Sequence, residues 1–161
     1  MGRPRVRVLV VDDYEPWRHF IVATLHGQPE LDVIGEASDG LQAVKKAQEL
    51  RPDLILLDVG LPTVNGIDVA RRIKAGANDT TILFVSENRS RDIVEEALKT
   101  GAGGYVIKAE ASSDLLSAVR AVLAGGRFVS AALCGWVFVA TGVHGAQVYI
   151  SSLLMLLAGI R

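Results

Sequence analysis

The stretch Asp53–Gly66 reads DLILLDVGLPTVNG. Leu54–Leu57 is apolar without alternation, the pattern of a short strand buried on both faces. The run ends on a carboxylate, Asp58, and a Pro-containing turn follows at once. Asn65-Gly66 then opens a helix. A strand covered on both faces belongs in a parallel sheet between layers of helix, and the flanking sequence repeats that strand–helix alternation.

Working outward, VRVLVV at 6–11, LDVIGEA at 31–37, TILFVS at 81–86 and GYVIK at 104–108 read as four further strands. Helical spacing fills the intervals. One helix starts at Glu15-Pro16 and reaches Leu25-Gly27. A second is capped by Asp39-Gly40 and is stopped by Pro52 after Leu50. A third runs from Asn65-Gly66 to Gly76, and a fourth from Ser90 to Leu98, closed by Gly101. A last helix, capped by Ser112 or Ser113, ends at Gly125-Gly126. Five strands alternating with five helices predict an α/β fold: a doubly wound five-stranded parallel sheet with helices on both faces.

Such sheets collect their chemistry beyond the carboxyl ends of the strands. Four of the five predicted strands deliver a polar group there: Asp12-Asp13, Asp58, Ser86 and Lys108. Three carboxylates brought together stay ionised only with positive charge among them. An all-oxygen set with spare coordination positions suits a hard cation such as Mg²⁺, which favours phosphate oxygens. Lys108 adds an ammonium and Ser86 a hydroxyl donor that does not titrate. A metal, a lysine and a hydroxyl around one carboxylate stabilise charge on a transferring phosphoryl group, with Asp58 as nucleophile. Each residue also has an ordinary explanation, since strand-end aspartates form turns and caps and an isolated lysine is a solvated charge. Their joint arrival at one rim is what favours the chemical reading.

Composition sets the bounds. The 161 residues, half of them hydrophobic and 22% charged, supply one packed core. A net charge of −1 offers no field for nucleic acid. The single cysteine, Cys134, excludes an internal disulfide. The start MGRPRVRVLVVDD meets acid after too short an apolar run for a signal peptide, so a cytoplasmic location is expected.

The segments VLVVDD, DLILLDVGLPTVNG, FVS and GYVIK, in this order, resemble the four signature segments of the response-regulator receiver domain of two-component signalling. The resemblance covers about Arg5 to Gly126, and LLSAVRAVLAGGRFVSAAL further resembles the LuxR-type subfamily. It implies a flavodoxin-like strand order 2-1-3-4-5 and a phosphoacceptor domain at 5–126. Asp12 and Asp13 match the acidic pair holding Mg²⁺, Asp58 the phosphoacceptor and Gly60 the residue lending the metal a backbone carbonyl. Ser86 matches the switch hydroxyl, Tyr105 the switch aromatic and Lys108 the conserved ion partner. The implied partner is a sensor histidine kinase, and the implied role a switch, not a turnover enzyme. Two departures stand out: Glu87 stands where a small residue is usual, and of Gly60 and Asn88, which match the variable positions that position or shield the attacking water, Gly60 offers no side chain.

Three function classes compete: a phospho-accepting signalling module, an idle receiver-like scaffold or remnant of a LuxR-type transcription regulator, and a Mg²⁺-dependent phosphatase. The phosphatase would need a second carboxylate shortly after the nucleophile, where Asp58-Val59-Gly60 has glycine. The segment 127–161 loses the family pattern and nearly all charge, and is expected to lack a helix-turn-helix output module and to bind no nucleic acid. Val148, Ile150, Leu153, Leu154, Leu156 and Leu157 are read as a helix face that docks on the domain or forms a homodimer, ahead of an accidental tail and of a membrane anchor.

Overall fold

The computed structural model describes residues 4–76 and 79–133, and the backbone of residues 148–150. The strands are β1 (Val6–Val11), β2 (Leu31–Ala37), β3 (Leu54–Leu57), β4 (Thr81–Ser86), β5 (Gly104–Ile107), β6 (Arg127–Val129) and β7 (Val148–Ile150). The helices are α1 (Glu15–His26), α2 (Gly40–Leu50), α3 (Gly66–Ala75), α4 (Arg91–Lys99) and α5 (Ala111–Leu123). The strand order is β2-β1-β3-β4-β5-β6-β7, the expected flavodoxin-like order extended at one edge. The chain divides into two compact units, one through Ile82 and one from Leu83.

In the first unit, β1 pairs in parallel with β2 on one side and with β3 on the other. Every residue of β3 is buried, as its unbroken apolar run requires. Two helices begin on side-chain caps. Asp39 accepts from Gln42 N to cap α2, and Asn65 accepts from Asp68 N to cap α3. Pro16 lies in the first turn of α1, where its missing N–H costs nothing.

In the second unit, β4 pairs in parallel with β5, and β5 with β6. The sheet therefore exceeds the five strands expected from sequence. Three residues of β6 are too few to show a period, but Gly104 makes room for them: a Cβ there would stand 2.2 Å from the Phe128 carbonyl oxygen. Two local expectations are corrected. Lys108 is not the end of β5 but opens a 3-10 turn, Lys108–Glu110. That turn feeds directly into α5 at Ala111, so neither Ser112 nor Ser113 is its cap. Ser113 Oγ instead donates to the Glu110 carbonyl, 3.0 Å, from inside the first turn.

Of the tail helix read from sequence, Val148 and Ile150 lie in β7, whose backbone pairs with β6, and not in a helix. The rest of that segment lies outside the described residues. Among the described residues, no helix is long and apolar enough to cross a membrane.

Candidate functional site

The stretch that decides the fold carries an aspartate at each end of its strand, and the structure treats them differently. Asp53, before β3, accepts from Arg7 N at 2.8 Å and its own N–H bonds the Arg7 carbonyl. It is a structural tie. Asp58, after β3, is 93% buried, and its N–H bonds the Val11 carbonyl at 3.0 Å. This lateral bond sets Asp58 beside the end of β1, where Asp12 and Asp13 follow.

Asp12 is buried and Asp13 exposed. One oxygen from each of Asp12, Asp13 and Asp58 can be chosen so that all lie within 4.8 Å of one another. Asp12 Oδ1 also accepts from Tyr14 N at 2.9 Å, so the turn-forming role of a strand-end aspartate is real and coexists with the cluster. Arg18 fixes the backbone here, donating through Nη1 to the Asp12 carbonyl at 2.7 Å and through Nε to Glu36 at 3.1 Å.

The turn after Asp58 is held by close backbone packing. Gly60 N donates to Asp58 Oδ1 at 3.3 Å, and Gly66 N to the Val59 carbonyl at 2.9 Å. A Cβ on Gly66 would lie 1.9 Å from the Asp58 carbonyl oxygen, so only glycine lets α3 start there. A Cβ on Gly60, by contrast, would meet nothing within 4 Å. Thr63, at φ 66°, is a β-branched residue in the left-handed region, and its hydroxyl donates to the Pro62 carbonyl at 2.6 Å.

In the second unit, Ser86 ends β4 in register with Ile107, so Lys108 follows β5 at the same strand end. Ser86 is buried, and its Oγ accepts from Asn88 N at 3.3 Å. Tyr105 is fully buried. Its ring stacks on Phe84 at a centroid distance of 6.0 Å, and its hydroxyl donates to the Asn88 carbonyl at 2.7 Å. Asn88 thus joins Ser86 and Tyr105 within one loop, a link that no residue-type pattern announces. Glu87, between them in sequence, is exposed.

The donor set of the first unit consists of three carboxylates and no nitrogen or sulfur, which is what a hard, oxygen-seeking cation takes. Three anions this close are mutually repulsive without one. Asp12, Asp13 and Asp58 therefore fit Mg²⁺ by ligand chemistry.

Comparison with known proteins agrees with this geometry. A family profile described as "Response regulator receiver domain" matches residues 8–120. The nitrate/nitrite response regulator protein NarL of Escherichia coli is 35% identical over 126 residues, 78% of this chain and 58% of that protein. The DNA-binding transcriptional activator DevR/DosR of Mycobacterium tuberculosis is 38% identical over 120 residues, 74% and 55% of the two chains. The chain thus spans little more than half the length of such relatives. Among solved structures, the signal receiver domain of the response regulator NarL from Mycobacterium tuberculosis superposes with a TM-score of 0.73 at 32% identity, covering 76% of this chain and 99% of that one.

Proposed function

The chain belongs to the response-regulator receiver family of two-component signalling, with LuxR-type relatives, and on that premise we propose that it accepts a phosphoryl group on Asp58 in a Mg²⁺-dependent reaction. The observation that carries this reading is the convergence of Asp12, Asp13 and Asp58 at the carboxyl ends of β1 and β3. Asp12 and the exposed Asp13 would hold the ion, with the Gly60 backbone carbonyl as a further ligand, and the ion would supply positive charge to the phosphoryl oxygens. Asp58 contributes a carboxylate oxygen that attacks phosphorus, forming an acyl phosphate as the donor's leaving group departs with the electron pair of the broken bond.

Lys108 serves as a fixed positive charge for the phosphoryl oxygens, and Ser86 donates its hydroxyl to one of them. Tyr105 and the Ser86–Asn88 loop report the change, because a shift of Ser86 Oγ toward a phosphoryl group would alter the bond it accepts from Asn88 N. The donor is a sensor histidine kinase or a small phosphodonor, the setting cytoplasmic, and the module a switch, not a turnover enzyme. The division into a phosphoacceptor domain at 5–126 and a tail at 127–161 is part of this reading, with β6 as the tail's attachment to the sheet.

The test is intact-mass measurement after incubation with Mg²⁺ and a small acyl phosphate. The mass rises by one phosphate in the wild-type chain and does not rise in Asp58→Asn. An adduct that persists in that variant overturns the assignment.

A further inference from the structure

Outside the acidic cluster, the described residues hold a buried, hydrogen-bonded polar pair, Asp114 and Ser130, that the proposed chemistry leaves unused. Asp114, in the first turns of α5, is 6% exposed, and Ser130, immediately after β6, is fully buried. Ser130 Oγ accepts from Ile107 N at 3.0 Å and donates to Asp114 Oδ2 at 3.3 Å. Ser113 Oγ, whose hydroxyl donates to the Glu110 carbonyl, lies 3.3 Å from the other carboxylate oxygen.

The arrangement has a specific cause. Ser130 N donates to the Tyr105 carbonyl at 3.0 Å, continuing the pairing of β6 with β5. In an evenly spaced parallel ladder, the next β5 donor, Ile107 N, would take a backbone carbonyl of β6. The Ser130 carbonyl is instead turned to Leu133 N, 2.9 Å, as the chain bends into the 3-10 turn Ala131–Leu133. The serine hydroxyl stands in for the missing acceptor. A hydroxyl that accepts from an amide while donating to a carboxylate is polarised along the chain of bonds, which strengthens both. The peptide bond held in this way, Val106–Ile107, lies one peptide before the bond into Lys108.

We propose that Ser130 and Asp114 are positioning residues for Lys108: they fix the end of β5 so that the lysine leaves it in one direction. The Lys108 backbone is bracketed on its other side as well, its carbonyl accepting from Ala111 N. Asp114 lies inside the family match, which ends at residue 120, and Ser130 lies beyond it. The proposal rests on the phosphoryl-accepting reading of Asp58 and on Lys108 as its cationic partner.

The experiment measures the rate of Asp58 phosphorylation by a small acyl phosphate in saturating Mg²⁺. Ser130→Ala slows it about tenfold, since a misplaced catalytic partner loses most of its effect, while Mg²⁺ affinity is unchanged. Asp114→Asn, which keeps an acceptor but not the charge, slows it less and tests the same link without removing the hydroxyl. The decisive readout is coupling. Lys108→Ala alone slows the reaction, and adding Ser130→Ala to it produces no further loss. An unaltered rate in Ser130→Ala, or full multiplicative loss in the double variant, overturns the proposal. A normal rate in Lys108→Ala removes the lysine's role and this proposal together, whereas a wild-type chain that takes no phosphate on Asp58 refutes the function itself.

Discussion

The carboxyl ends of β1 and β3 and those of β4 and β5 are built on different principles. The first pair presents charge: three aspartates with oxygens drawn to within 4.8 Å, one of them exposed. The second presents hydrogen bonds made by neutral groups, Ser86 Oγ with Asn88 N and Tyr105 Oη with the Asn88 carbonyl, and Lys108 follows β5. A region that must hold an ion needs like charges near one another and accepts the repulsion. A region that must change shape needs directional bonds of modest strength, each worth about 1 kcal/mol net, that can be exchanged.

The contrast can be broken most severely where the first region depends on backbone contact. Gly66→Ala sets a Cβ against the Asp58 carbonyl, and stability is expected to fall by about 3 kcal/mol or more, read as the midpoint of urea unfolding. A loss under about 1 kcal/mol would mean that α3 shifts at no cost and that the turn does not fix Asp58. Next is Asp13→Ala. Losing one carboxylate should weaken Mg²⁺ binding at least tenfold, about 1.4 kcal/mol. Calorimetry measures this directly, and Trp17, whose ring lies 4.9 Å from Phe20 on α1, is an optical alternative. The weakening should be greatest at low salt, where screening is least.

The neutral hydrogen bonds of the second region should not respond to ionic strength. Tyr105→Phe removes only the hydroxyl bond to Asn88 and is expected to cost about 1 kcal/mol of stability, insensitive to salt. A strong salt dependence would show that the region is electrostatic after all. The smallest effect is expected at Glu87, which is exposed. Glu87→Ala should speed phosphorylation by an anionic donor slightly, and only at low ionic strength. Equal rates at both salt concentrations would mean that its carboxylate does not face the donor.

The two regions were also unequally legible. Asp12, Asp13 and Asp58 follow β-branched or aliphatic runs, so residue type and strand ends together announced the cluster. The boundaries of β3 and β4 followed the same runs, because burial on both faces leaves no alternation to misread. Around β5 and β6 the signal failed for physical reasons. Lys108 continues an apolar run by sequence yet begins a 3-10 turn, since the chain must change direction before α5. Ser112 and Ser113 have the composition of a cap, but that turn supplies the first carbonyl of the helix path. Strand β6 rests on what Gly104 lacks, a side chain that would collide with Phe128. The Asn88 carbonyl and the Ser130 hydroxyl are partners chosen by three-dimensional proximity, and nothing in the residue types marks either.

The central claim is that the acidic cluster makes Asp58 a metal-dependent phosphoacceptor. Digestion of the chain after treatment with a small acyl phosphate, followed by mass mapping of the labelled peptide, tests it most directly. With Mg²⁺ present the phosphate should map to Asp58 and be lost in base, and a chelator added before the donor should abolish it. A label on any other residue, or an Asp58 label of equal yield in the chelated sample, would contradict the account.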